Sequence, residues 1–179
     1  LLQAGIAERR TTGDRTLFDA ARRYVDLLVA AYIEEGRPMP RFWGRYKWPD
    51  HPNLEMALVE LFRETGDHRY LEFCRKILDF AEFRGRTQMM HHAVQEILHA
   101  AGATDYALET GDREIRTAVD RLWADLLKKT YVTGAYGSIT RGAMSEAIGK
   151  EFQLTNHGAY AETCASVSMV FWSWRLFLA

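Results

Sequence analysis

The chain of 179 residues is 47% hydrophobic, and 23 lysines and arginines against 24 aspartates and glutamates give it a net charge of −1. This length predicts a single domain with one sizeable core. The near-neutral charge supplies no basic surface for nucleic acid or an anionic membrane, and no apolar run reaches the roughly 20 residues of a bilayer span. We therefore expect a neutral or small partner, with no nucleic acid and no membrane.

The cysteine content excludes a disulfide framework, because only Cys74 and Cys164 are present and they lie far apart in the sequence. Such a pair is typical of a reducing compartment or of metal ligands. The compartment stays open, with the cytoplasm favoured. The chain begins in mid-pattern at Leu1 without an initiator methionine, so we expect that residues upstream of it, and functional groups among them, belong to the protein.

Three Thr-Gly-Asp triplets organise the sequence, at residues 12–14, 65–67 and 110–112. Glycine supplies a left-handed residue that ends one helix, and the aspartate can cap the next, so each triplet predicts a hinge between antiparallel helices. Apolar residues follow each aspartate at about +3, +7, +10, +11 and +14, the spacing of a helix buried along one face. They are Leu17, Ala21, Tyr24, Val25 and Leu28; Tyr70, Cys74, Ile77, Leu78 and Ala81; and Ile115, Val119, Leu122, Trp123 and Leu126.

Apolar helical segments also precede the hinges, at residues 2–10, 54–63 and 94–108. The hairpins recur at intervals of 53 (14 to 67) and 45 (67 to 112) residues, within the range of solenoids and toroids. A fourth unit starts at Tyr160 and stops at Ala179, halfway through a hairpin. The pattern predicts an all-α fold built from antiparallel helical hairpins, an incomplete (α/α)6 toroid.

Two long connectors interrupt the hairpins, at residues 36–52 and 129–159. Loops of this length are usually functional. The aromatic side chains of Trp43, Tyr46 and Trp48 in the first connector suit either stacking on a sugar ring or packing. Residues 130–133 in the second connector suggest a short strand.

The clearest candidate for chemistry is the pair Glu162 and Cys164, which stand one residue apart at the predicted entrance of a helix. A carboxylate and a thiolate are both ligands that zinc accepts, although two ligands alone do not hold it. Glu146, in the preceding loop, is a candidate for protonating a leaving oxygen and then activating water. Each residue also has a simpler interpretation. Glu162 suits a first-turn carboxylate favoured by the helix dipole, Cys164 a small buried thiol, and Glu146 a solvated loop glutamate.

Two histidines stand out by position. His51 and His92 are each predicted at the start of a helix, so both side chains would point from one end of the hairpin stack and could line a pocket. Capping and surface roles are the alternatives, and His91 competes for the second position. Common nucleotide-binding loops, serine-hydrolase elbows and zinc-protease motifs are absent from the sequence.

Taken in order, these segments resemble the β-L-arabinofuranosidase family of glycoside hydrolases (family 127), formerly a domain of unknown function. The similarity covers almost the whole chain and rests on residues 51–61 with the hinge at 65–67, and on His92-Ala93-Val94, Tyr131-Val132-Thr133-Gly134 and Tyr160-Ala161-Glu162-Thr163-Cys164-Ala165. The resemblance implies that residues 1–179 are part of one (α/α)6-barrel catalytic domain, with β-sandwich domains outside this chain.

The resemblance also implies a retaining glycosidase that releases L-arabinofuranose or a related sugar through a zinc-bound cysteine nucleophile. Glu162 and Cys164 match the zinc-binding glutamate and the first of three zinc cysteines, and Glu146 matches the acid/base glutamate. The other two cysteines, including the nucleophile, would follow Ala179, so the 179 residues alone are expected to be inactive. His51 and His92 match histidines that line the sugar pocket.

Departures from the family leave the precise sugar open. The family usually has glycine before the second histidine and arginine three residues after it, where this chain has His91 and Gln95. Two alternative functions remain: another α/α-toroid sugar enzyme, such as an unsaturated glucuronyl hydrolase or an epimerase, and a non-catalytic helical-repeat scaffold. The oligomeric state is not predicted.

Overall fold

The structure is a computed structural model that describes residues 1–39, 54–138 and 146–179. Its elements in chain order are α1 (Leu2–Thr12), α2 (Thr16–Val29) with a π-helical turn (Ala30–Glu34), α3 (Leu54–Thr65), α4 (Arg69–Phe80), a 3₁₀ turn (Phe83–Gly85), β1 (His91–His92), α5 (Ala93–Thr110), α6 (Arg113–Leu127), β2 (Ala147–Ile148) and α7 (Thr163–Leu178). They form two compact units, Leu1–Ala81 and Glu82–Ala179. The predicted all-α fold is confirmed.

The three Thr-Gly-Asp triplets are the predicted hinges. Gly13, Gly66 and Gly111 all adopt the left-handed conformation, with φ of 81°, 71° and 71°. Asp112 caps α6, because its Oδ1 accepts two backbone N–H groups of the first turn at 3.0 and 3.1 Å. The aspartates of the other two hinges each accept one backbone N–H, at 2.8 and 3.0 Å. Each triplet therefore ends one helix at a left-handed glycine, but the start of the next helix differs: Asp112 is the N-cap of α6, whereas α2 and α4 have Arg15 and His68 at that position.

Removing the cap in the variant Asp112→Ala is expected to lower the free energy of unfolding by about 1–2 kcal/mol. Burial alone would raise the pKa of Asp112, but hydrogen bonds from Ile115 and the Arg84 guanidinium at 2.6 Å lower it. A lowered pKa means that the stabilisation is present above the ordinary aspartate pKa of about 4 and is lost as the pH falls below it. Chemical denaturation at neutral and acidic pH should show the difference between wild type and variant shrinking in acid.

The matched control is Asp120→Ala, in the same helix. Asp120 is exposed and pairs with Arg116 on the helix surface, at 3.0 Å. Exposed pairs of this kind contribute about 0.5 kcal/mol or less. Equal losses in the two variants, or a loss at Asp112 that persists in acid, would contradict the capping role.

In the unit Leu1–Ala81, the hairpins α1–α2 and α3–α4 enclose a core, and α1 also packs on α3. Gly5 allows the close approach of α1 and α2, since a Cβ there would lie 2.8 Å from the backbone of Phe18. The apolar stripe predicted for α4 is fully buried. In α2 the buried face is rotated slightly from the prediction: Phe18 and Val29 are buried, whereas Tyr24 is 62% exposed.

In the unit Glu82–Ala179, α5 packs on both α6 and α7 and is buried over most of its length. Trp172 of α7 is fully buried, donates its Nε1–H to Thr104 Oγ1 at 2.9 Å and packs edge-on against Trp123. Arg175 pairs with the buried Asp105 at 2.5 Å. These contacts fix the direction in which α7 leaves the loop that precedes it. Over the described ranges, no helix combines the length and apolar character needed to cross a membrane.

The two short strands set the position of the candidate site. β1 and β2 pair antiparallel, with His91 opposite Ile148 and His92 opposite Ala147. The strand suggested for residues 130–133 is not present; Gly134 N donates to Tyr131 O in a turn there instead. A turn satisfies these backbone groups locally, whereas the actual sheet joins two segments far apart in the sequence.

Candidate active site

Glu146 lies directly beside His92 because of the strand pairing. The backbone N–H of Ala93, at the start of α5, donates to the carbonyl oxygen of Glu146 at 2.9 Å. His92 Nε2 lies 2.7 Å from Glu146 Oε2, and the two side chains are 36% and 33% exposed. A histidine and a carboxylate are therefore held together at a place that a ligand can reach.

Tyr160 approaches the same carboxylate from the other side. Its hydroxyl donates to Glu146 Oε1 at 2.9 Å. Hydrogen bonds to Glu146 and then to Glu162 raise the pKa of Tyr160 well above its ordinary value, so the phenol stays protonated. Both oxygens of Glu146 are thus engaged, one by His92 and the other by Tyr160.

Glu162 and Cys164 occupy the entrance of α7, with Glu162 at the N-cap and Cys164 in the first turn. The Cys164 thiol, and then the Tyr160 hydroxyl, lower the pKa of Glu162 by favouring its ionised carboxylate. Burial, assisted by the neighbouring carboxylate, raises the pKa of Cys164 to about 11. At neutral pH this thiol stays protonated unless a cation stabilises the thiolate.

Glu146, Tyr160, Glu162 and Cys164 line one narrow cleft at the junction of α5 and α7. Its walls are Ala93, Val94, Tyr136, Glu146, Tyr160, Glu162, Cys164 and Ala165. The cleft thus combines a hydrogen-bonded carboxyl group, a phenol and an adjacent carboxylate and thiol. This set of groups can exchange protons with a ligand and can supply oxygen and sulfur ligands to a metal.

Backbone strain is concentrated around this cleft. Five non-glycine residues in the described ranges have positive φ, and three of them belong to the site: His91 at 70°, Glu146 at 62° and Ala161 at 46°. A left-handed conformation costs a residue with a Cβ about 1–2 kcal/mol. Such strain is commonly found where side chains are held for function. Here it falls on Glu146 and on the residues directly before His92 and Glu162.

The strain at His91 can be measured by comparing two variants that both remove the imidazole. His91→Gly relieves the left-handed strain, whereas His91→Ala keeps it, so the glycine variant is expected to be more stable than the alanine variant by about 1 kcal/mol. Equilibrium denaturation of both variants provides the comparison. An alanine variant as stable as the glycine variant would show that position 91 carries no strain.

The ligands present suit part of a zinc site. Glu162 supplies oxygen and Cys164 supplies sulfur, and both side chains line the same cleft. Within residues 1–39, 54–138 and 146–179, no group of three or more histidine, cysteine or acidic side chains is arranged to hold a metal. Tetrahedral zinc needs four ligands, so this pair would be joined by ligands from elsewhere.

The structure thus brings together four of the five residues singled out from the sequence: Glu146, Glu162, Cys164 and His92. His51, and the aromatic residues of the first connector, lie outside the described residues. Tyr160 was not identified as a site residue from the sequence, although its hydroxyl donates to Glu146. The sequence feature that could have identified it is its position, two residues before Glu162.

The chain is similar to known glycoside hydrolases. The family model described as "Beta-L-arabinofuranosidase, GH127 catalytic domain" matches residues 1–179. A curated relative, the non-reducing end β-L-arabinofuranosidase of Bifidobacterium longum subsp. longum, is 26% identical over an alignment 208 residues long, gaps included, which covers 94% of this chain and 30% of the relative. The chain therefore spans about a third of the length of the curated protein that it matches.

Two solved structures share the fold. A GH127 β-L-arabinofuranosidase from Geobacillus stearothermophilus T6 matches with a TM-score of 0.82 and 26% identity, over 98% of this chain and 32% of its own. A second GH127 β-arabinofuranosidase matches with a TM-score of 0.84 and 31% identity, over 99% of this chain and 29% of its own. These matches confirm the predicted helical-toroid class, and the family match over all 179 residues shows that the chain belongs to the GH127 β-L-arabinofuranosidase catalytic-domain family.

Proposed function

We propose that the protein is a retaining glycoside hydrolase that releases a terminal L-arabinofuranose, or a closely related sugar, from glycans. One observation carries the proposal: the Glu146 carboxyl group lies between His92 Nε2 and the Tyr160 hydroxyl, at 2.7 and 2.9 Å, in the cleft that also holds Glu162 and Cys164. The GH127 family membership and the activities of the relatives support the substrate class.

Glu146 is the acid/base residue in this proposal. Its carboxyl group donates a proton to the leaving oxygen of the glycosidic bond and then accepts one from the attacking water, as retaining glycosidases require. His92, one-third exposed beside it, both steadies Oε2 and presents its ring to the sugar. His51 is proposed as a second sugar-binding histidine, on the resemblance of its segment to the family.

Glu162 and Cys164 are the proposed zinc ligands from this chain. Bound zinc would supply the positive charge that turns cysteine thiols into thiolates at neutral pH. The nucleophile in this proposal is a cysteine outside these 179 residues, since Cys164 serves as a ligand and Cys74, the other cysteine, is fully buried in α4.

The direct test is to incubate the whole zinc-loaded protein with oligosaccharides that end in β-L-arabinofuranose and to identify the product. Release of L-arabinose, with the β anomer appearing first in the NMR spectrum, supports a retaining arabinofuranosidase. Turnover of unsaturated glucuronides or epimerisation of free sugars, without release of arabinose, would assign the protein to another toroid enzyme class. Failure to act on any glycan would favour a binding scaffold.

A further inference from the structure

Tyr160 makes contacts that packing does not explain. Its side chain is 38% exposed, so it does not fill the core, and its interactions in the cleft are polar. The hydroxyl donates to Glu146 Oε1 at 2.9 Å. The phenol therefore contacts the proposed acid/base carboxyl group directly.

The backbone fixes this phenol in place. The N–H groups of Tyr160 and Ala161 both donate to the carbonyl oxygen of Gly137, at 3.1 and 2.9 Å. Ala161 adopts a left-handed conformation with φ of 46°, which turns the chain between Tyr160 and Glu162. The position of the hydroxyl is thus set by a clamped segment at the entrance of α7.

A carboxyl group that transfers a proton to a leaving oxygen has to keep one orientation. His92 Nε2 lies 2.7 Å from Oε2 of Glu146, and the Tyr160 hydroxyl donates to Oε1 at 2.9 Å, so each oxygen is held by a different residue. Removing the phenol releases Oε1 and leaves the carboxyl group freer to rotate about its contact with His92.

We propose that Tyr160 is a positioning residue that holds the Glu146 carboxyl group in one orientation, through the hydrogen bond from its hydroxyl to Oε1 at 2.9 Å. Tyr160 keeps its proton throughout and no bond is made or broken at the phenol. The inference rests on the proposed acid/base role of Glu146.

The test is the variant Tyr160→Phe in the whole zinc-loaded protein, with two substrates that carry the same sugar. One has an alkyl or sugar leaving group, which needs a proton, and the other has a 4-nitrophenyl leaving group, which departs without one. We expect kcat/KM to fall by about tenfold on the first substrate, the effect of losing one hydrogen bond to a charged group, and by less than about threefold on the second. Equal losses, or no loss, on the two substrates would overturn the proposal.

Two further measurements separate positioning from other roles. The zinc content of Tyr160→Phe is expected to equal that of the wild type, and loss of zinc would assign the tyrosine to the metal site instead. The matched control is Tyr131→Phe, which removes a hydroxyl that donates to the backbone of Thr155 at 3.0 Å. Its kinetics on both substrates are expected to remain within about twofold of wild type.

Crystal structures of wild type and Tyr160→Phe test the geometry without any assay. In the variant, the Glu146 carboxyl group is expected to rotate away from its wild-type position or to become disordered, and an unchanged carboxyl group would overturn the proposal. If the wild-type protein hydrolyses neither arabinofuranoside, the proposed function fails. The positioning inference is then judged on the Glu146 carboxyl group alone.

Discussion

The variant Glu146→Gln is expected to hydrolyse an unactivated arabinofuranoside about 10²–10⁴ times more slowly than the wild type, the usual contribution of a positioned acid or base. Glutamine keeps the size of the side chain and can still accept the Tyr160 hydrogen bond, but it has no proton to transfer to the leaving oxygen. The measurement is kcat/KM on an arabinose-terminated oligosaccharide. The loss should be smaller on a 4-nitrophenyl glycoside, which needs little protonation to depart.

The matched control is Glu151→Gln, five residues further along the chain. Glu151 is about half exposed and pairs with Lys128 at 3.0 Å on the surface. The same chemical change there is expected to leave kcat/KM within about twofold of wild type. A Glu146→Gln enzyme that retains more than about a tenth of the wild-type rate on the oligosaccharide would show that another group supplies the proton.

The helical hairpins were predictable because their signals are local. A glycine that ends a helix and an aspartate that caps the next act within a few residues, and the buried faces of α4 and α6 repeat at the helical period. The predicted buried face of α2 was partly wrong. Periodicity shows where an apolar stripe lies on a helix, but it does not show which edge of the stripe packs against the neighbouring helices. Phe18 and Val29 are therefore inside and Tyr24 outside.

The contact between His92 and Glu146 was not predictable from periodicity. It depends on two strands of two residues each, and a strand this short has no alternating pattern to detect. The two segments are also far apart in sequence, so nothing local indicates that they pair. The resemblance to the family singled out both residues by their motifs, and the structure adds the 2.7 Å contact between them.

The entrance of α7 was only partly predictable. The closeness of Glu162 and Cys164 in sequence made a shared ligand site a reasonable hypothesis, since one residue separates them at the start of a helix. The part played by Tyr160 depends on Gly137, whose carbonyl clamps the backbone, and on the left-handed turn at Ala161. Alanine seldom adopts that conformation, so the sequence gives no warning of the turn.

Substitution of the proposed zinc ligand, in the variant Cys164→Ser, is expected to weaken zinc binding by at least about 100-fold and to abolish hydrolysis. Even residues that only support metal ligands change affinity by about 10–100-fold, and loss of a ligand should exceed that. The serine hydroxyl is a poorer ligand than a thiolate because it does not ionise near neutral pH. Zinc content by elemental analysis and competition with a chelator measure the affinity independently of activity.

The second cysteine provides the matched control. Cys74 is fully buried in α4, and the variant Cys74→Ala removes its sulfur from the core of the other unit. We expect it to lose some stability while keeping stoichiometric zinc and the wild-type rate. Zinc retained at full stoichiometry in Cys164→Ser would rule out the ligand role, and equal zinc loss in both variants would point to unfolding. Loss of zinc in Cys164→Ser alone would show that this thiol binds the metal. Because burial raises the pKa of Cys164, its thiolate needs the positive charge of the metal at neutral pH.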